Sequence, residues 1–289
     1  MAGERARRAR LPGVVSSGAR PRTLGVVAGT GTAVGKTWVA AKLATGLSAR
    51  GWRIAARKPA QSFDPREPGP TDAEQLAAAT GETPEQVCPR GRWYETPMAP
   101  PMAAEALGRP AFVLADLLRE LDASWPRPVA DLGLIELAGG PRSPLANDGD
   151  GVQLTHALDP AFLLLVADAG LGTLNAVRLS ADAFAPTPLL LHLNRYDAAS
   201  ELHRRNRSWL EGRLGLALST DLGALAAAIE ACLPAYCRHC GRERAACSGE
   251  CQRPLDPPHF CPRCGRKLVV QVVPTGHRAH CRDHGPLRD

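Results

Sequence analysis

A short glycine-rich stretch followed by lysine and threonine carries the clearest chemical signal in the chain. Residues Gly29–Thr37 read Gly-Thr-Gly-Thr-Ala-Val-Gly-Lys-Thr, with an apolar run at 24–28 before them and a helical pattern at 38–47 after them. In such a strand–loop–helix, backbone N–H groups surround a phosphate and the helix N-terminus adds partial positive charge. The pattern therefore predicts a phosphate-binding loop (P-loop), in which Lys36 reaches the phosphates and the Thr37 hydroxyl binds Mg²⁺.

The loop is one residue longer than the common form of this motif, because five residues rather than four separate Gly29 from Gly35. Its backbone and its lysine are expected to enclose the phosphates of a nucleotide. The nucleotide-binding residues expected from the loop are Gly31, Thr32, Ala33, Val34, Gly35, Lys36 and Thr37.

Three further charged positions occur where a phosphoryl-transfer site would need them. Lys58 follows the second apolar run, Asp72 opens a helical pattern after a Gly-Pro loop, and Glu136 ends an apolar run before glycines. A solvated lysine and a helix cap would explain the first two, but a carboxylate at the end of a buried strand serves no need of the fold. Since Mg²⁺ prefers carboxylates, water and phosphate oxygens, we expect Asp72 and Glu136 to complete a Mg²⁺ site with Thr37.

Strands and helices alternate along most of the chain, and this alternation predicts how the charged residues are brought together. It is typical of an α/β fold with a doubly wound, mostly parallel sheet, which binds its ligand at the carboxyl ends of the strands. No internal repeat is recognised. Strands are expected at 23–28, 53–57, 132–137, 161–167 and 188–193. Helices are expected near 36–50, 71–80, 102–107, 111–122, 173–185, 201–213 and 222–232.

Length and charge limit the possible classes of protein. The 289 residues suffice for one large domain and a small module. Residues 1–22 carry six Arg and one Glu and are expected to be a disordered basic tail, and 237–289 carry ten Lys or Arg against five acidic residues. The middle of the chain is slightly acidic, so we expect no nucleic-acid partner. No apolar run is long enough for a membrane span and no secretory signal is recognised, which predicts a cytoplasmic protein.

The composition changes near the C-terminus, because seven of the nine cysteines lie between 237 and 281. We therefore expect a P-loop domain at 23–233 and a separate Cys-rich module at 236–285. The module is too small to fold on a hydrophobic core alone, so a bound metal is expected to stabilise it.

Two Cys-x-x-Cys pairs, Cys237 with Cys240 and Cys261 with Cys264, predict one tetrahedral site that both pairs close. Zinc and an iron–sulfur cluster are both open on this spacing. Disulfides are disfavoured in the expected compartment. Further candidate ligands are Cys247, Cys251, Cys281, His259, His277, His280 and His284, whereas Cys88 and Cys232 are expected to be buried thiols.

Taken together, the segments of the large domain resemble the dethiobiotin synthetase family over about residues 23–232. The longer loop, the Lys-Pro dipeptide, the metal aspartate and the glutamate before glycines follow the order and spacing of that family. The matching segments are Gly29–Thr37, Lys58-Pro59 with Ser62, Asp72, Tyr94–Pro100, Glu136–Gly140 and Leu171–Asn175.

The resemblance implies a homodimeric ligase that uses ATP and Mg²⁺ to convert 7,8-diaminopelargonic acid and CO₂ into dethiobiotin. The γ-phosphate would pass to the carbamate of the substrate, and the second amine would then close the ring. The implied roles are catalysis by Lys36, Lys58, Thr32 and Ser62, Mg²⁺ binding by Thr37, Asp72 and Glu136, substrate binding by Ser62, Gly172, Thr173, Leu174 and Asn175 across the dimer interface, and contact of Asn194 with the base.

Several positions depart from the family pattern. Ala33 stands where many members carry an acidic residue, and Leu137 replaces the usual glycine after the metal glutamate. We expect the larger side chain at 137 to narrow the substrate pocket. The segment 193–196 matches the family pattern only loosely, so the preference for one nucleotide base over another stays open.

The segments 255–276 and 281–285 resemble a small auxiliary protein of biotin synthase, and this resemblance covers about 236–285. It implies an iron–sulfur cluster in the module and biotin synthase as a partner. The implied cluster or metal ligands are Cys237, Cys240, Cys251, Cys261, Cys264 and Cys281.

Two other interpretations are open on sequence alone. One is a P-loop ATPase that carries iron–sulfur clusters. Such ATPases have an additional lysine at the start of the loop, which the stretch 31–36 lacks. The other is an inactive nucleotide-binding domain joined to a zinc-ribbon interaction module.

Overall fold

The computed structural model describes residues 20–127, 129–253, 255–274 and 276–287. Most of the predicted basic tail lies outside the described residues. Of its last three residues, Arg20 pairs with Asp122, and the N–H of Arg22 donates a hydrogen bond to the carbonyl of Ala130. These three residues are therefore attached to the domain, which differs from the predicted disorder. No helix in the described ranges is long and apolar enough to span a membrane.

A six-stranded parallel sheet is the centre of the large domain, with the strand order β10–β9–β8–β1–β5–β2. The strands, in chain order, are β1 (Thr23–Gly29), β2 (Ile54–Arg57), β3 (Gln61–Ser62), β4 (Trp93–Tyr94), β5 (Leu132–Glu136), β6 (Pro144–Ala146), β7 (Gly149–Asp150), β8 (Phe162–Asp168), β9 (Leu189–Asn194), β10 (Leu218–Ser219), β11 (Val269–Val273), β12 (Gly276–Cys281) and β13 (Gly285–Pro286). Strands β3 and β4 form a small parallel pair, β6 and β7 an antiparallel pair, and β11–β13 an antiparallel sheet in the C-terminal module.

Helices cover both faces of the central sheet. They are α1 (Lys36–Ala49), α2 (Asp72–Thr80), α3 (Pro84–Val87), α4 (Pro100–Ala106), α5 (Leu114–Ser124), α6 (Gly151–Leu158), α7 (Thr173–Phe184), α8 (Glu201–Leu214) and α9 (Leu222–Glu230). Apolar residues of α1, α2 and α9 pack in one core cluster, and those of α5 to α8 pack in the other. Adjacent residues of β1 divide between the two, since Val26 packs in one cluster and Val27 in the other. This confirms the predicted doubly wound α/β fold.

The five predicted strands and the seven predicted helices are present with ends shifted by a few residues. Sequence analysis missed the edge strand β10, which pairs only Leu218 and Ser219 with β9. It also missed α6, which begins at Gly151 and is capped by the side chain of Asp150. A glycine at the first helical position weakens the helical pattern, so the signal for α6 was hidden.

The C-terminal module contains an internal repeat that sequence analysis did not recognise. The turn after Tyr236 and the turn after Phe260 both have the sequence aromatic-Cys-x-x-Cys-Gly-Arg. Each turn is closed by one antiparallel bridge, Tyr236 with Glu243 and Phe260 with Lys267. The two turns also bond to each other symmetrically, because the N–H of Tyr236 donates to Pro262 and the N–H of Phe260 donates to Arg238. The expectation of no repeat is therefore wrong.

One buried carboxylate joins the module to the large domain. Asp131, just before β5, is fully buried and accepts hydrogen bonds from the guanidinium groups of Arg53 and Arg244. Arg244 also donates to the carbonyl of Gly51 at 3.0 Å, and its guanidinium lies 3.9 Å from the ring centroid of Trp52. These contacts lie at the amino ends of β2 and β5, opposite the edge of the sheet that carries the P-loop.

We expect Arg244→Ala to lower the free energy of unfolding by about 2 kcal/mol, since it removes a charged hydrogen bond to a buried carboxylate. The exposed neighbour Arg242→Ala is the matched control and should change stability little. Urea unfolding of the full chain measures both. Equal losses in the two variants would contradict the anchoring role of Arg244.

Candidate functional site

Side chains from the end of β9 hold the P-loop in its conformation. Gly35 has a φ of 92°, and a Cβ there would lie 2.2 Å from Nδ2 of Asn194. That nitrogen donates a hydrogen bond to the carbonyl of Val34 at 2.9 Å. Arg195 donates to the carbonyl of Ala33 at 2.6 Å, where the φ of 60° is unusual for a residue other than glycine. Glycine is therefore required at position 35, and Asn194 contacts the loop backbone directly.

Lys36 begins α1 and lies over the loop. Its Nζ donates a hydrogen bond to the carbonyl of Gly31 at 2.8 Å, and its side chain is almost fully buried. An ammonium group has three protons, so two remain for a phosphate. Burial, followed by the positive charge of Lys58, lowers the pKa of Lys36 to about 8. This lysine therefore titrates close to physiological pH.

Three charged side chains from separate elements meet beside Thr37. Lys58 follows β2, Asp72 begins α2 and Glu136 ends β5. Nζ of Lys58 lies 2.6 Å from Oδ2 of Asp72 and 2.7 Å from Oε1 of Glu136. Lys58 and Glu136 are both nearly inaccessible to solvent. We call Thr37, Lys58, Asp72 and Glu136 the charged cluster.

Burial and mutual charge set the protonation of the charged cluster. Burial opposes the charge on Lys58, but the carboxylates of Asp72 and Glu136 outweigh it and raise the pKa of Lys58. Burial also opposes the charge on Asp72, yet the ammonium of Lys58 holds the pKa of Asp72 below its ordinary value. For Glu136, burial and then the negative charge of Asp72 prevail over Lys58 and raise its pKa. Of the two carboxylates, Glu136 is therefore the one whose charged form is less favoured, mainly because it is buried.

The charged cluster has fewer donors than acceptors. Oγ1 of Thr37 lies 2.8 Å from both Oδ1 of Asp72 and Oε1 of Glu136, but a hydroxyl has one proton and can donate to only one of them. Oε2 of Glu136 is buried and has no hydrogen-bond partner among the described residues. A buried oxygen that accepts no hydrogen bond is costly. Carboxylates and hydroxyls are suitable ligands for a divalent cation, so Thr37, Asp72 and Glu136 fit a site for such an ion.

Asp72 is available to the charged cluster because another residue caps its helix. The side chain of Thr71 accepts the N–H of Glu74 at 3.3 Å, and the carboxylate of Glu74 accepts the N–H of Thr71 at 2.7 Å. This reciprocal capping box satisfies the start of α2 without Asp72. The helix-cap explanation considered for Asp72 therefore belongs to Thr71.

A cavity of about 640 Å³ lies beside the loop. Sequence analysis identified two of its lining residues, Gly35 and Asn194. The others come from α1, from β9 and from the segments that follow β9 and β10, so no local motif marks them. The full lining is Gly35, Trp38, His192, Asn194, Arg195, Tyr196, Thr220, Asp221 and Leu222. The volume suits a small-molecule ligand.

The remaining predicted site residues lie outside the charged cluster. Thr32 is exposed in the loop, and Oγ of Ser62 donates to the carbonyl of Met98 at 2.5 Å. The segment 172–175 forms the start of α7, where Leu174 and Asn175 line a separate depression of about 370 Å³. A single chain therefore presents two groups of predicted site residues in different places.

The expectation that Leu137 narrows the pocket is wrong. Leu137 is fully buried in the core, and a Cβ placed on Gly151 would lie 3.0 Å from its Cδ1. Its side chain packs under the site rather than in it. Of the glycines that follow, Gly139 is the constrained one, because its φ is 66° and a Cβ there would lie 2.6 Å from Oγ of Ser143.

Comparison with known proteins identifies the family. A sequence profile described as an AAA domain matches residues 23–191. An ATP-dependent dethiobiotin synthetase of Haloferax mediterranei is 33% identical over 230 residues, which cover 78% of this chain and 94% of the relative. The chain belongs to the dethiobiotin synthetase family.

Other members of the dethiobiotin synthetase family match a shorter part of the chain. The enzyme of Corynebacterium efficiens is 38% identical over 159 residues, covering 54% of this chain and 67% of its own length. The enzyme of Mycobacterium tuberculosis is 39% identical over 163 residues, covering 56% and 69%. This protein is thus a dethiobiotin synthetase-like enzyme with an ATP-binding P-loop.

Beyond the synthetase domain, the cysteines form two clusters instead of the single site expected. The first cluster is Cys237, Cys240, Cys247 and Cys251, and the second cluster is Cys261, Cys264, Cys281 and His284. In each, the four ligand atoms lie within 4.8 Å of one another, so each can hold a metal. The two Cys-x-x-Cys pairs lie in different clusters because each turn of the repeat carries one pair.

Two ligands outside the implied set, Cys247 and His284, complete these clusters. The repeat around the two pairs was a signal for two separate sites, but it contains neither Cys247 nor His284. Of the two isolated cysteines, Cys88 is buried as expected, and burial raises its pKa to about 12. Cys232 is exposed, so the expectation of a buried thiol is wrong there.

The pKa of Lys36 predicts how ATP binding depends on pH. Its lowered pKa means that the free enzyme has the charged lysine below about pH 8 and loses it above. Bound phosphate requires the ammonium form, so binding must take up a proton at higher pH. We expect the affinity for ATP to fall by up to about tenfold per pH unit above pH 8.

Isothermal titration at pH 7, 8 and 9 in buffers with different heats of ionisation measures both the affinity and the proton uptake. The control is Lys36→Arg, whose guanidinium stays charged throughout and should give a flatter profile. A flat profile for the unaltered enzyme would show that Lys36 keeps its proton.

Proposed function

We propose that the chain catalyses the ATP-dependent carboxylation and ring closure of 7,8-diaminopelargonic acid to dethiobiotin. One amine of the substrate takes up CO₂ as a carbamate, and a carbamate oxygen attacks the γ-phosphorus of ATP as ADP leaves. The second amine then attacks the carbamate carbon, phosphate leaves and the cyclic urea forms. The observation that carries this proposal is the charged cluster beside a P-loop in a member of this family.

This reaction needs positioning and charge stabilisation rather than a covalent nucleophile. Lys36, with two free N–H groups, binds the phosphates of ATP. Lys58 uses two of its three protons on Asp72 and Glu136 and has one left for the negative charge of the carbamate. The hydroxyls of Thr32 and Ser62 orient the carbamate near the loop.

The charged cluster supplies the ligands for Mg²⁺ through Thr37, Asp72 and Glu136. Support comes from the unpartnered Oε2 of Glu136 and from the two carboxylate oxygens that compete for one Thr37 proton. When bound, the ion neutralises charge on the β- and γ-phosphates. Asp72 and Glu136 would hold the ion, and the ammonium of Lys58 would offset the repulsion between their carboxylates.

The cavity beside Gly35 holds the base of the nucleotide. Trp38 and Tyr196 provide apolar ring surfaces there, and Asn194 and Asp221 provide polar edges. The loop residues Gly31 to Thr37 enclose the phosphates, so the base and the phosphates lie on the two sides of Gly35.

A second copy of the chain completes the substrate site. The start of α7 is suited to the carboxylate tail of the substrate, because helix N-terminal N–H groups attract anions and, within the described part of the chain, the buried Oγ1 of Thr173 has no partner. Leu171, Leu179 and Trp209 expose large apolar surfaces around this segment. Residues 172–175 of one subunit therefore bind the tail of a substrate whose amines lie in the other subunit.

The C-terminal module binds metal and assists biotin synthase, the enzyme that uses dethiobiotin. Joining the two activities in one chain raises the local concentration of the module where dethiobiotin is made. Thiolate ligands need a reducing compartment, which supports a cytoplasmic location.

The direct test is an assay with ATP, bicarbonate and the diamine, in which dethiobiotin is detected by mass spectrometry. The expected result is dethiobiotin formation with one ADP per product. Intact ATP binding without dethiobiotin would contradict the proposal.

The role of Lys58 can be tested separately. We expect Lys58→Met to lower kcat/KM by about 100-fold or more, because it removes a charge-stabilising group and leaves the carboxylates of Asp72 and Glu136 without their shared counter-charge. Lys42→Met, on the exposed side of α1, is the matched control and should keep normal activity. Melting curves for both variants separate lost catalysis from lost folding. Normal kinetics in Lys58→Met would rule out its catalytic role.

The proposed dimer can be tested by changing its apolar interface. Leu179→Asp should convert the protein from dimer to monomer in sedimentation velocity, since it puts a charge in an apolar interface. Leu107→Asp, on another exposed surface, should leave the dimer intact. A monomeric unaltered protein at micromolar concentration would contradict the shared substrate site.

A further inference from the structure

The distances within the first cluster match four thiolates around a single ion. Sγ of Cys237 lies 3.4 Å from that of Cys251, and Sγ of Cys247 lies 3.5 Å from Cys251 and 3.7 Å from Cys240. In a tetrahedral site with zinc–sulfur bonds near 2.3 Å, neighbouring sulfurs are about 3.8 Å apart. The observed spacings are slightly shorter, and they are far too long for disulfides.

The second cluster has the dimensions of three thiolates and one imidazole around one ion. Sγ of Cys264 lies 3.7 Å from that of Cys281, and Nδ1 of His284 lies 3.5 Å from the sulfurs of both Cys261 and Cys281. With a zinc–nitrogen bond near 2.0–2.1 Å, the expected sulfur–nitrogen separation is about 3.6 Å. Nδ1 is therefore the ligand atom that His284 presents.

An iron–sulfur cluster does not fit this arrangement. In a [4Fe–4S] cluster each thiolate binds a different iron, and in a [2Fe–2S] cluster the four are divided between two irons. Both cases separate thiolates by the width of the inorganic core. Here the four ligand atoms of each set lie within 4.8 Å of one another, which leaves room for one ion.

The backbone around the clusters supports the same interpretation. In both turns a glycine with positive φ follows the second cysteine, and its N–H donates to the carbonyl of the first cysteine, Gly241 to Cys237 and Gly265 to Cys261. The repeat thus folds each Cys-x-x-Cys pair into the same tight turn. Two equivalent turns provide two equivalent half-sites, each completed by its own pair of later ligands.

We infer that the module holds two separate zinc ions, one in the Cys₄ site of the first cluster and one in the Cys₃His site of the second, and no iron–sulfur cluster. This inference rests on the proposed metal binding of the module and departs from the cluster that its family resemblance implies. Both sites have four protein ligands and no open position, which is typical of zinc that stabilises a fold.

The test begins with the full chain, produced with both zinc and iron in the medium and purified without oxygen. We expect two zinc per chain by mass spectrometry and no acid-labile sulfide. Iron with stoichiometric sulfide would overturn the inference, and so would iron without sulfide or a single metal per chain. Dethiobiotin formation is assayed on the same sample, so failure of the proposed reaction is recorded separately from the metal count.

Variants then assign the two ions to their sites. Cys247→Ser and His284→Ala should each remove one zinc and leave the other. The matched controls are Cys232→Ser and His280→Ala, an exposed thiol and an exposed imidazole outside both clusters, and they should retain both ions. Loss of all metal from either single variant would indicate one shared site and contradict the inference.

Cadmium substitution tests the ligands of each site without relying on the number of metal ions per chain. The full chain loaded with ¹¹³Cd should show two resonances, one at a chemical shift for four sulfur ligands and one for three sulfurs and a nitrogen. Cys247→Ser should alter the first resonance and preserve the second, and His284→Ala should do the reverse. One resonance in the unaltered chain would also contradict the inference.

Discussion

The ammonium of Lys58, buried between the carboxylates of Asp72 and Glu136, is the interaction on which the site depends. Moving charges out of water is costly unless they are closely paired, so the three groups must be held at hydrogen-bond distance by rigid elements. The parallel sheet meets this need, because β2 and β5 are neighbours and end at the same edge. Helix α2 then brings Asp72 to that edge, and the P-loop places Thr37 beside it.

The site residues at the ends of strands could be predicted, because the local sequence shows where each strand ends. Lys58 directly follows β2 and Glu136 ends β5, and parallel strands bring such positions to one edge whatever the details of packing. The direction of Leu137 was not predictable in this way, since it depends on the neighbouring Gly151, which lies in a helix that the sequence did not mark. The positions of Thr220, Asp221 and Leu222 in the cavity likewise depend on β10, a short edge strand that the sequence did not mark.

The cysteine clusters show a different limit of sequence analysis. Spacing alone cannot tell whether two Cys-x-x-Cys pairs share one ion or hold one each, because chain length between them permits both. The arrangement is set by two symmetric backbone hydrogen bonds, one donated by Tyr236 and one by Phe260, which join the two turns. Each turn then contributes its Cys-x-x-Cys pair to a different cluster. The later ligands differ in kind and spacing between the two halves, and this difference conceals the repeat in the sequence.

The attachment of the module through Asp131 and Arg244 has a consequence for a cell with little metal. The contacts lie at the amino ends of the strands, whereas the P-loop and the charged cluster lie at the carboxyl ends, on the opposite edge of the sheet. A chain without metal at its two cysteine clusters would lose the fold of the Cys-rich module and keep the P-loop and the charged cluster. Metal supply would then change the fold of the module and leave the P-loop edge of the sheet unchanged.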